Sequence, residues 1–361
     1  MTAALRVQGR IGREGSPANT RLLIGGAAAG LCVAIFLSLS IGATGITLAS
    51  LPRVLSAMLT GRYETDVARE QLVLIDIRLP RMLLGMFVGA SLAVAGAMMQ
   101  GMFRNPLADP GLVGVSSGAA LAAVATIALG NSLAAPWIKT FGAYALPMAA
   151  FVGGIATTMI LVSIVSRQGQ MTVSTLLLAG VALAALNGAL MGLIAYSSDD
   201  RELRDLTLWM LGSLSGASWP KVFAIIPFAL LVALVLPRLI RGLNGLLLGE
   251  AEAFHLGIDV ERTKRAIVLV TSAAVGAAVA VSGILGFVGI VVPHAVRLLA
   301  GPDHRIVLPA SALMGATLVL SADILARMLL RPAELPLGVV MAILGAPIFL
   351  HMVVKRGMAG A

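Results

Sequence analysis

Residues 81–103 read RMLLGMFVGASLAVAGAMMQGMF, and Arg81 is the only charged side chain in this stretch. A helix that crosses a bilayer needs about 20 predominantly apolar residues, so the stretch predicts a transmembrane helix. Similar runs recur along the chain and predict ten spans in all, at approximately 22–51, 81–103, 111–129, 141–165, 173–196, 222–240, 266–286, 286–300, 307–326 and 337–354.

The composition supports a polytopic membrane protein. Of the 361 residues, 58% are hydrophobic and 12% are charged, whereas a soluble domain is about 45–50% apolar and about 25% charged. The 40 glycines suit close packing of helices in lipid. We therefore expect an all-α protein in which residues 1–361 form a single transmembrane domain.

Several kinds of chemistry are excluded by the residues present. A lone cysteine, Cys32, permits no intrachain disulfide and no multi-cysteine metal site. The four histidines are scattered, so we expect neither a catalytic centre nor a metal site, and we interpret His294 and His304 as helix-end residues facing the inner surface. None of the four lysines stands in a phosphate-binding GxxxxGK[ST] loop. If ATP drives this protein, its site must lie on another chain.

The charge distribution predicts the orientation. The N-terminal arm, residues 1–20, is rich in arginine, and Lys355 and Arg356 follow the last span. Basic residues favour the cytoplasmic side, so we expect both termini there. The outer face remains unusually basic and needs a separate explanation. Nucleic acid is not expected as a partner, because no basic patch contains interleaved aromatic residues.

An internal repeat is found at an offset of 187 residues. Ala90, Ala93, Val94, Gly96 and Pro106 fall on Ala277, Ala280, Val281, Gly283 and Pro293. On the ten-span topology, span 2 runs inward and span 7 runs outward. The pattern favours an inverted-topology repeat of spans 2–5 and 7–10, a feature of transport folds; chance matching of alanine and glycine is the alternative.

The longest polar connection, residues 241–265, contains GEAEAFHLG at 249–257. We expect a short helix after Glu250 and Glu252 that is closed by Gly257, with Asp259 capping the next helix. This predicts a compact helix–turn–helix on the cytoplasmic surface, and an ordinary solvated loop is the alternative.

An ordered set of motifs then resembles the FecCD family, the ten-helix permease subunits of type II ABC importers for ferric siderophores, haem and cobalamin. The resemblance runs from about residue 70 to residue 354. Its motifs are RLPR (78–81), GAMMQ (96–100), NPLADPG (105–111), LAGVA (178–182), GEAEA (249–253), LG (256–257), GFVG (286–289), PH (293–294) with Arg297, DHR (303–305), ADILAR (322–327) and ELPLG (334–338).

The resemblance implies a set of partners and a location. A second copy of the chain would enclose one pathway in the bacterial inner membrane, with two ATPase subunits below and a periplasmic binding protein above. No cofactor is implied on this chain. The implied coupling helix, which would sit in a cleft of the ATPase, comprises Gly249, Glu250, Ala251, Glu252, Ala253, Leu256 and Gly257.

The resemblance also implies a gate and a docking site. Asn105, Leu107, Thr172 and Ser174 would line the cytoplasmic gate, although Val173 stands where the cobalamin permease has a hydroxyl. Arg78, Arg81 and Arg327 would accept carboxylates of the binding protein, which suits the planar guanidinium. These arginines could instead be interfacial anchors, and Arg327 could pair with Asp323 one turn earlier.

The substrate is the least determined part. Arg201, Arg204 and Trp209 would lie at the mouth of the pathway, where the arginines could meet haem propionates or siderophore carboxylates, or pair with neighbouring acids. The motifs resemble the haem branch most, so we expect haem, with a ferric siderophore or cobalamin as alternatives. Met98, Met99 and Met102 are interpreted as packing residues. An ion-coupled secondary transporter is the alternative of another class, and only Asp323 is placed near the carboxylate role that it requires.

Overall fold

The computed structural model describes residues 17–42, 48–60, 65–166, 171–330 and 333–357. Most of the predicted N-terminal arm lies outside these residues. The regular structure of the described part is helical. Seven of its helices are long and apolar enough to cross a membrane, and three further helices are apolar but shorter.

The α-helices, numbered in chain order, are α1 (Pro17–Ser40), α2 (Leu51–Thr60), α3 (Thr65–Gln71), α4 (Leu79–Phe103), α5 (Val115–Ala128), α6 (Ala135–Phe141), α7 (Ala145–Ser166), α8 (Val173–Tyr196), α9 (Asp200–Met210), α10 (Trp219–Leu248), α11 (Glu250–His255), α12 (Val260–Ser282), α13 (Val288–Ala300), α14 (His304–Leu329) and α15 (Leu337–Gly357). A π-helical segment, Leu72–Arg78, leads into α4, and a 3-10 turn, Pro110–Val113, precedes α5.

Several predicted spans differ from the helices that form, and the seventh begins at Val260 and ends at Ser282 instead of at residues 266 and 286. The first helix ends at Ser40 and does not reach residue 51. The third is divided at Gly114, whose φ of +75° favours glycine and separates the 3-10 turn from α5. The sixth continues to Leu248, so the polar connection starts at Gly249 and not at residue 241.

Helix α4 lies at the centre of the fold and is buried over most of its length. Its glycines let neighbouring backbones approach closely, as expected for helices packed in lipid. A Cβ added to Gly89 would overlap the carbonyl oxygen of Gly315 on α14, and one added to Gly96 would overlap that of Gly289 on α13.

The helices pack in two similar groups. In the first, α5 packs on α7 and α8; in the second, α13 packs on α14 and α15. The helix that precedes each group packs on the other group: α4 packs on α14, and α12 packs on α7. The offset of 187 residues aligns α4 with α12, but its proline pair does not correspond structurally: Pro106 lies in a loop and Pro293 lies inside α13.

The bundle has two ends, which we name the α11 end and the α9 end after the short helices they carry. Helix α10 connects them. At the α9 end, residues 211–213 join two other helices: the Ser213 N–H donates to the carbonyl of Ser282, and the Leu337 N–H donates to that of Gly212, both within 2.9 Å. The end of α12 and the start of α15 are thus held together at this face.

Candidate functional site

The segment 249–259 at the α11 end forms the predicted helix–turn–helix. Gly249, with φ of +133°, precedes α11, and Gly257, with φ of +76°, follows it. The Asp259 carboxylate accepts the N–H of Arg262 at 3.0 Å and caps α12. The expected local structure is confirmed, including the capping acid.

Helix α11 presents apolar side chains to the outside. Phe254 is 70% exposed and Leu256 is 55% exposed, whereas Ala253 is buried on the opposite face. A cleft of about 870 Å³ lies beside them, lined by α11 and the start of α12. Exposed apolar residues around a concave surface are typical of a site for another protein.

One buried amine lies behind this surface. Lys264, on the first turns of α12, is 3% exposed. Its Nζ donates to Glu250 Oε2 at 2.6 Å and to the carbonyl of Met171 at 2.8 Å. Glu261 Oε1 lies 4.0 Å from the same nitrogen. The contacts join α11, α12 and Met171, which lies two residues before the start of α8.

The first pair of expected gate residues lies in the loop after α4. Asn105 is exposed, and its Oδ1 accepts the N–H of Leu107 at 3.0 Å. Arg104, next to it, ends α4 in the left-handed region with φ of 49°. A Cβ added to Gly249 would lie 3.8 Å from a guanidinium nitrogen of Arg104. This loop is therefore adjacent to the segment that carries α11.

The same loop continues into the 3-10 turn. The Asp109 carboxylate accepts the N–H of Gly111 at 2.7 Å and caps the turn. Burial raises the pKa of the Asp109 carboxyl, and the hydrogen bond from Gly111 opposes part of this rise.

The second pair of expected gate residues opens α8. Thr172 is the N-cap: its hydroxyl accepts the N–H of Thr175 at 3.2 Å, and Ser174 is exposed. No hydrogen bond joins this pair to Asn105 or Leu107 in the described part of the chain. The structure places both pairs at the α11 end: Arg104, next to Asn105, lies near Gly249, and Met171, next to Thr172, is bound by Lys264, which also binds Glu250.

At the α9 end, the three arginines expected to dock a binding protein are engaged within the chain. Arg81 is 8% exposed; it binds Asp323 through two nitrogens at 2.9–3.0 Å and Glu334 through two more contacts at 3.0 Å. Arg327 pairs with Asp323 at 3.1 Å, as the i, i+4 spacing predicted. Arg78 donates to the carbonyls of Leu39 and Ser40 at the end of α1. The docking role stays a prediction.

The entrance residues lie on the amphipathic helix α9. Asp199 and Glu202 form a capping box at its start. Arg201 and Arg204 are exposed, and neither forms an ion pair with another described residue. Their role at the entrance stays a prediction, as does their pairing with neighbouring acids. Trp209 is half-buried and packs against the core.

A polar node at the α11 end corrects one interpretation of the sequence. His304 does not face the inner surface but is fully buried. Its Nδ1 lies 2.8 Å from Asn244 Oδ1, and its Nε2 lies 3.1 Å from Arg297, which also donates to the carbonyl of Ala97. Because Asn244 Oδ1 can only accept, the network assigns the proton to Nδ1. The node ties α4, α10, α13 and α14 together.

Met98, Met99 and Met102 are confirmed as packing residues, since all three are buried in the hydrophobic core. No group of three or more potential metal ligands occurs among the described residues.

Comparison with known proteins shows which proteins this chain is similar to. A sequence profile described as the FecCD transport family matches residues 30–355. The chain is 46% identical over 290 residues to the hemin transport system permease protein of Yersinia pestis, covering 78% of this chain and 83% of that protein. It is 44% identical over 286 residues to the cobalamin import system permease protein of Halobacterium salinarum, covering 79% and 74% respectively.

A solved structure is similar over nearly the whole chain. It is described as an inward-facing conformation of a metal-chelate type ABC transporter. The TM-score is 0.79 at 32% identity, and the alignment covers 92% of this chain and 98% of that one.

Proposed function

The chain belongs to the FecCD transport family, and from that premise we propose that it carries haem across the bacterial inner membrane. It is the membrane permease subunit of a binding-protein-dependent ABC importer, and ATP is hydrolysed on a partner subunit. The observation that carries this conclusion is the match to residues 30–355, which includes every helix from α2 to α14.

Haem as the substrate is supported by two observations. The hemin permease of Yersinia pestis is 46% identical to this chain. Arg201 and Arg204 are exposed and without ion-pair partners in the described structure, so their guanidiniums are available to the propionates of haem. Cobalamin is the second candidate, because a cobalamin permease is 44% identical.

The test is uptake by proteoliposomes that contain the permease, its ATPase and its binding protein. Haem, cobalamin and a ferric siderophore are offered separately, with and without ATP on the side of the membrane that carries the ATPase. We expect ATP-dependent uptake of haem to exceed that of cobalamin. Strong uptake of cobalamin or of the siderophore with none of haem would show that the substrate is wrong.

We assign the membrane topology to ten spans in an inverted repeat, formed by the seven long helices and the three shorter apolar ones. The exchanged contacts, α4 on α14 and α12 on α7, support this assignment, because two halves related by a pseudo-two-fold axis make such reciprocal contacts. Both termini are then cytoplasmic, together with the α11 end.

The proposed assembly is a dimer with one pathway. Helix α8 supports this proposal because much of its surface is left uncovered: Leu178, Leu193 and Tyr196 are all strongly exposed. A Cβ added to Gly188 or Gly192 on the same helix would meet nothing within 4 Å. A second copy of the chain would cover part of this helix, and Thr172 and Ser174 would face the gate at its cytoplasmic start.

The cytoplasmic ATPase is proposed to dock on residues 249–257. The exposed Phe254 and Leu256 and the adjacent cleft support this role. The gate residues Asn105 and Leu107 follow Arg104, which lies beside Gly249. ATPase movements would thus reach the gate over a short distance.

Docking of the binding protein is proposed at the α9 end. Arg78, Arg81 and Arg327 would supply positive charge just beneath this face, twice in a dimer. Because these side chains are bound within the chain, they would act mainly through their electrostatic field. This field steers association of the binding protein and is weakened by salt. Salt-dependent capture of the binding protein is the observable that this proposal predicts.

The ion-coupled alternative is not retained. Asp323, at 1% exposed, is the least exposed acidic residue among the described residues, and it is neutralised by Arg81 and Arg327. Family membership accounts for energy coupling through ATP.

A further inference from the structure

Lys264 connects three segments that are far apart in the sequence. It lies on α12, yet its amine hydrogen-bonds to Glu250 in the first turn of α11 and to the carbonyl of Met171 just before α8. The side chain is almost completely buried. A single ammonium group therefore bridges the proposed ATPase-docking helix and the segment that leads into the gate.

The peptide groups of Met171 are held by α12 from both sides. Its carbonyl accepts from Lys264 at 2.8 Å, and its N–H donates to Glu261 Oε1 at 3.1 Å. Glu261 and Lys264 are three residues apart and therefore share one face of the helix. The Met171 side chain is also buried. The start of α8, with Thr172 and Ser174, is thus fixed to the same turn of α12 that holds α11.

We propose that Lys264 is a positioning residue that transmits the movement of α11 to the gate residues at the start of α8. The proposal rests on the docking of the ATPase at residues 249–257. When α11 moves with the ATPase, Glu250 moves with it. Because a buried ammonium that loses its carboxylate is costly, Lys264 and the Met171 carbonyl that it holds follow Glu250.

Electrostatics make this connection specific. Lys264–Glu250 is the only ion pair between α11 and α12 among the described residues. Glu250 and Glu261 both lie within 4.0 Å of the Lys264 nitrogen. Without the ammonium, these two carboxylates would face an apolar side chain and repel one another. Helix α11 would then move without the start of α8.

The experiment uses the reconstituted importer with its ATPase and binding protein. The variants are Lys264→Met, which keeps the apolar stem, Lys264→Arg, which keeps the charge, and Glu250→Gln. Arg262→Gln is the matched control, because Arg262 is on the same turn of α12 and pairs with Asp259 in an exposed position. For each we measure co-purification of the ATPase, ATP hydrolysis and uptake.

We expect Lys264→Met to bind the ATPase and hydrolyse ATP, while uptake per ATP falls about tenfold, a size typical of coupling between separate sites. Lys264→Arg should restore part of the coupling, and Arg262→Gln should behave as wild type. Glu250→Gln, on a half-exposed side chain, should give a smaller loss. Adding Glu250→Gln to Lys264→Met should cause no further loss of uptake per ATP, because both substitutions remove the same ion pair.

Unchanged uptake per ATP in Lys264→Met would overturn the proposal, as would strictly additive losses in the double variant. If Lys264→Met does not fold, Glu250→Gln provides the test. Uptake per ATP equal to that of Arg262→Gln would contradict the proposed role of Lys264. Normal ATPase yield with Glu252→Arg/Leu256→Arg would instead contradict docking at residues 249–257, and the transmission by Lys264 with it.

Discussion

At the scale of single residues, the guanidinium of Arg81 serves two carboxylates at once. It binds Asp323, which is 1% exposed, and Glu334 on the loop before α15. Removing one partner of a buried ion pair costs about 3–5 kcal/mol. Arg81 therefore joins α4, α14 and the loop before α15, and its replacement would affect folding as well as any docking.

Arg78 offers a second test of docking, because it donates to the backbone carbonyls of Leu39 and Ser40. We expect Arg78→Gln to slow capture of the binding protein and to weaken its dependence on salt, since the field that steers association is reduced. The measurement is the association rate on immobilised permease at low and high salt.

Arg238→Gln is the control for that test. It removes the same charge from a side chain that also donates to a backbone carbonyl, that of Leu234, but on the part of α10 remote from the α9 end. Equal rates and equal salt dependence for both variants would rule out a docking role for Arg78.

Residue contacts were predictable only where partners are close in sequence. The Asp323–Arg327 pair follows from i, i+4 spacing on one helix, and Asp259 was expected as a cap. The bond from Arg81 to Asp323 spans 242 positions, so it depends on how α4 and α14 pack. The burial of His304 was missed for the same reason, because its partners Asn244 and Arg297 lie on other helices.

At the scale of helices, the apolar runs predicted the spans, but some ends were displaced. Helix α10 continues past the apolar run because Gly242 and Gly245 pack against Thr263 and Ile258, which stabilises a helical turn that polar composition alone would assign to a loop. Short helices such as α9 have only one buried apolar face, so they do not resemble spans.

The crossing of α4 and α14 is a critical contact between helices. We expect Gly89→Ala to destabilise the protein by about 1–3 kcal/mol, because the added Cβ would force apart backbones already in contact. Thermal unfolding of the purified permease in detergent measures the effect. Gly25→Ala on α1 is the control, since its Cβ would meet nothing within 4 Å. Equal melting temperatures for the two variants would contradict this account of the packing.

At the scale of the whole molecule, the two ends of the bundle carry different chemistry. The α9 end concentrates buried arginines and acids, whereas the α11 end carries exposed apolar residues, the gate pairs and Lys264. The ordered motifs were sufficient to identify the family from sequence. The identities of 46% to a hemin permease and 44% to a cobalamin permease are close, so the proposal of haem depends mainly on the exposed Arg201 and Arg204.

The central claim is that residues 249–257 receive the ATPase, and co-purification of the two subunits tests it most directly. Glu252→Arg/Leu256→Arg reverses a charge and removes an exposed apolar side chain on this segment. Asp205→Arg/Leu208→Arg makes the same changes on exposed residues of α9 at the opposite end. We predict that the first variant, still folded, loses about 90% or more of the bound ATPase, while the second retains it. An oversized charged group at the packed interface with the ATPase should weaken binding by more than about 1.4 kcal/mol. Normal ATPase yield with Glu252→Arg/Leu256→Arg would contradict the account.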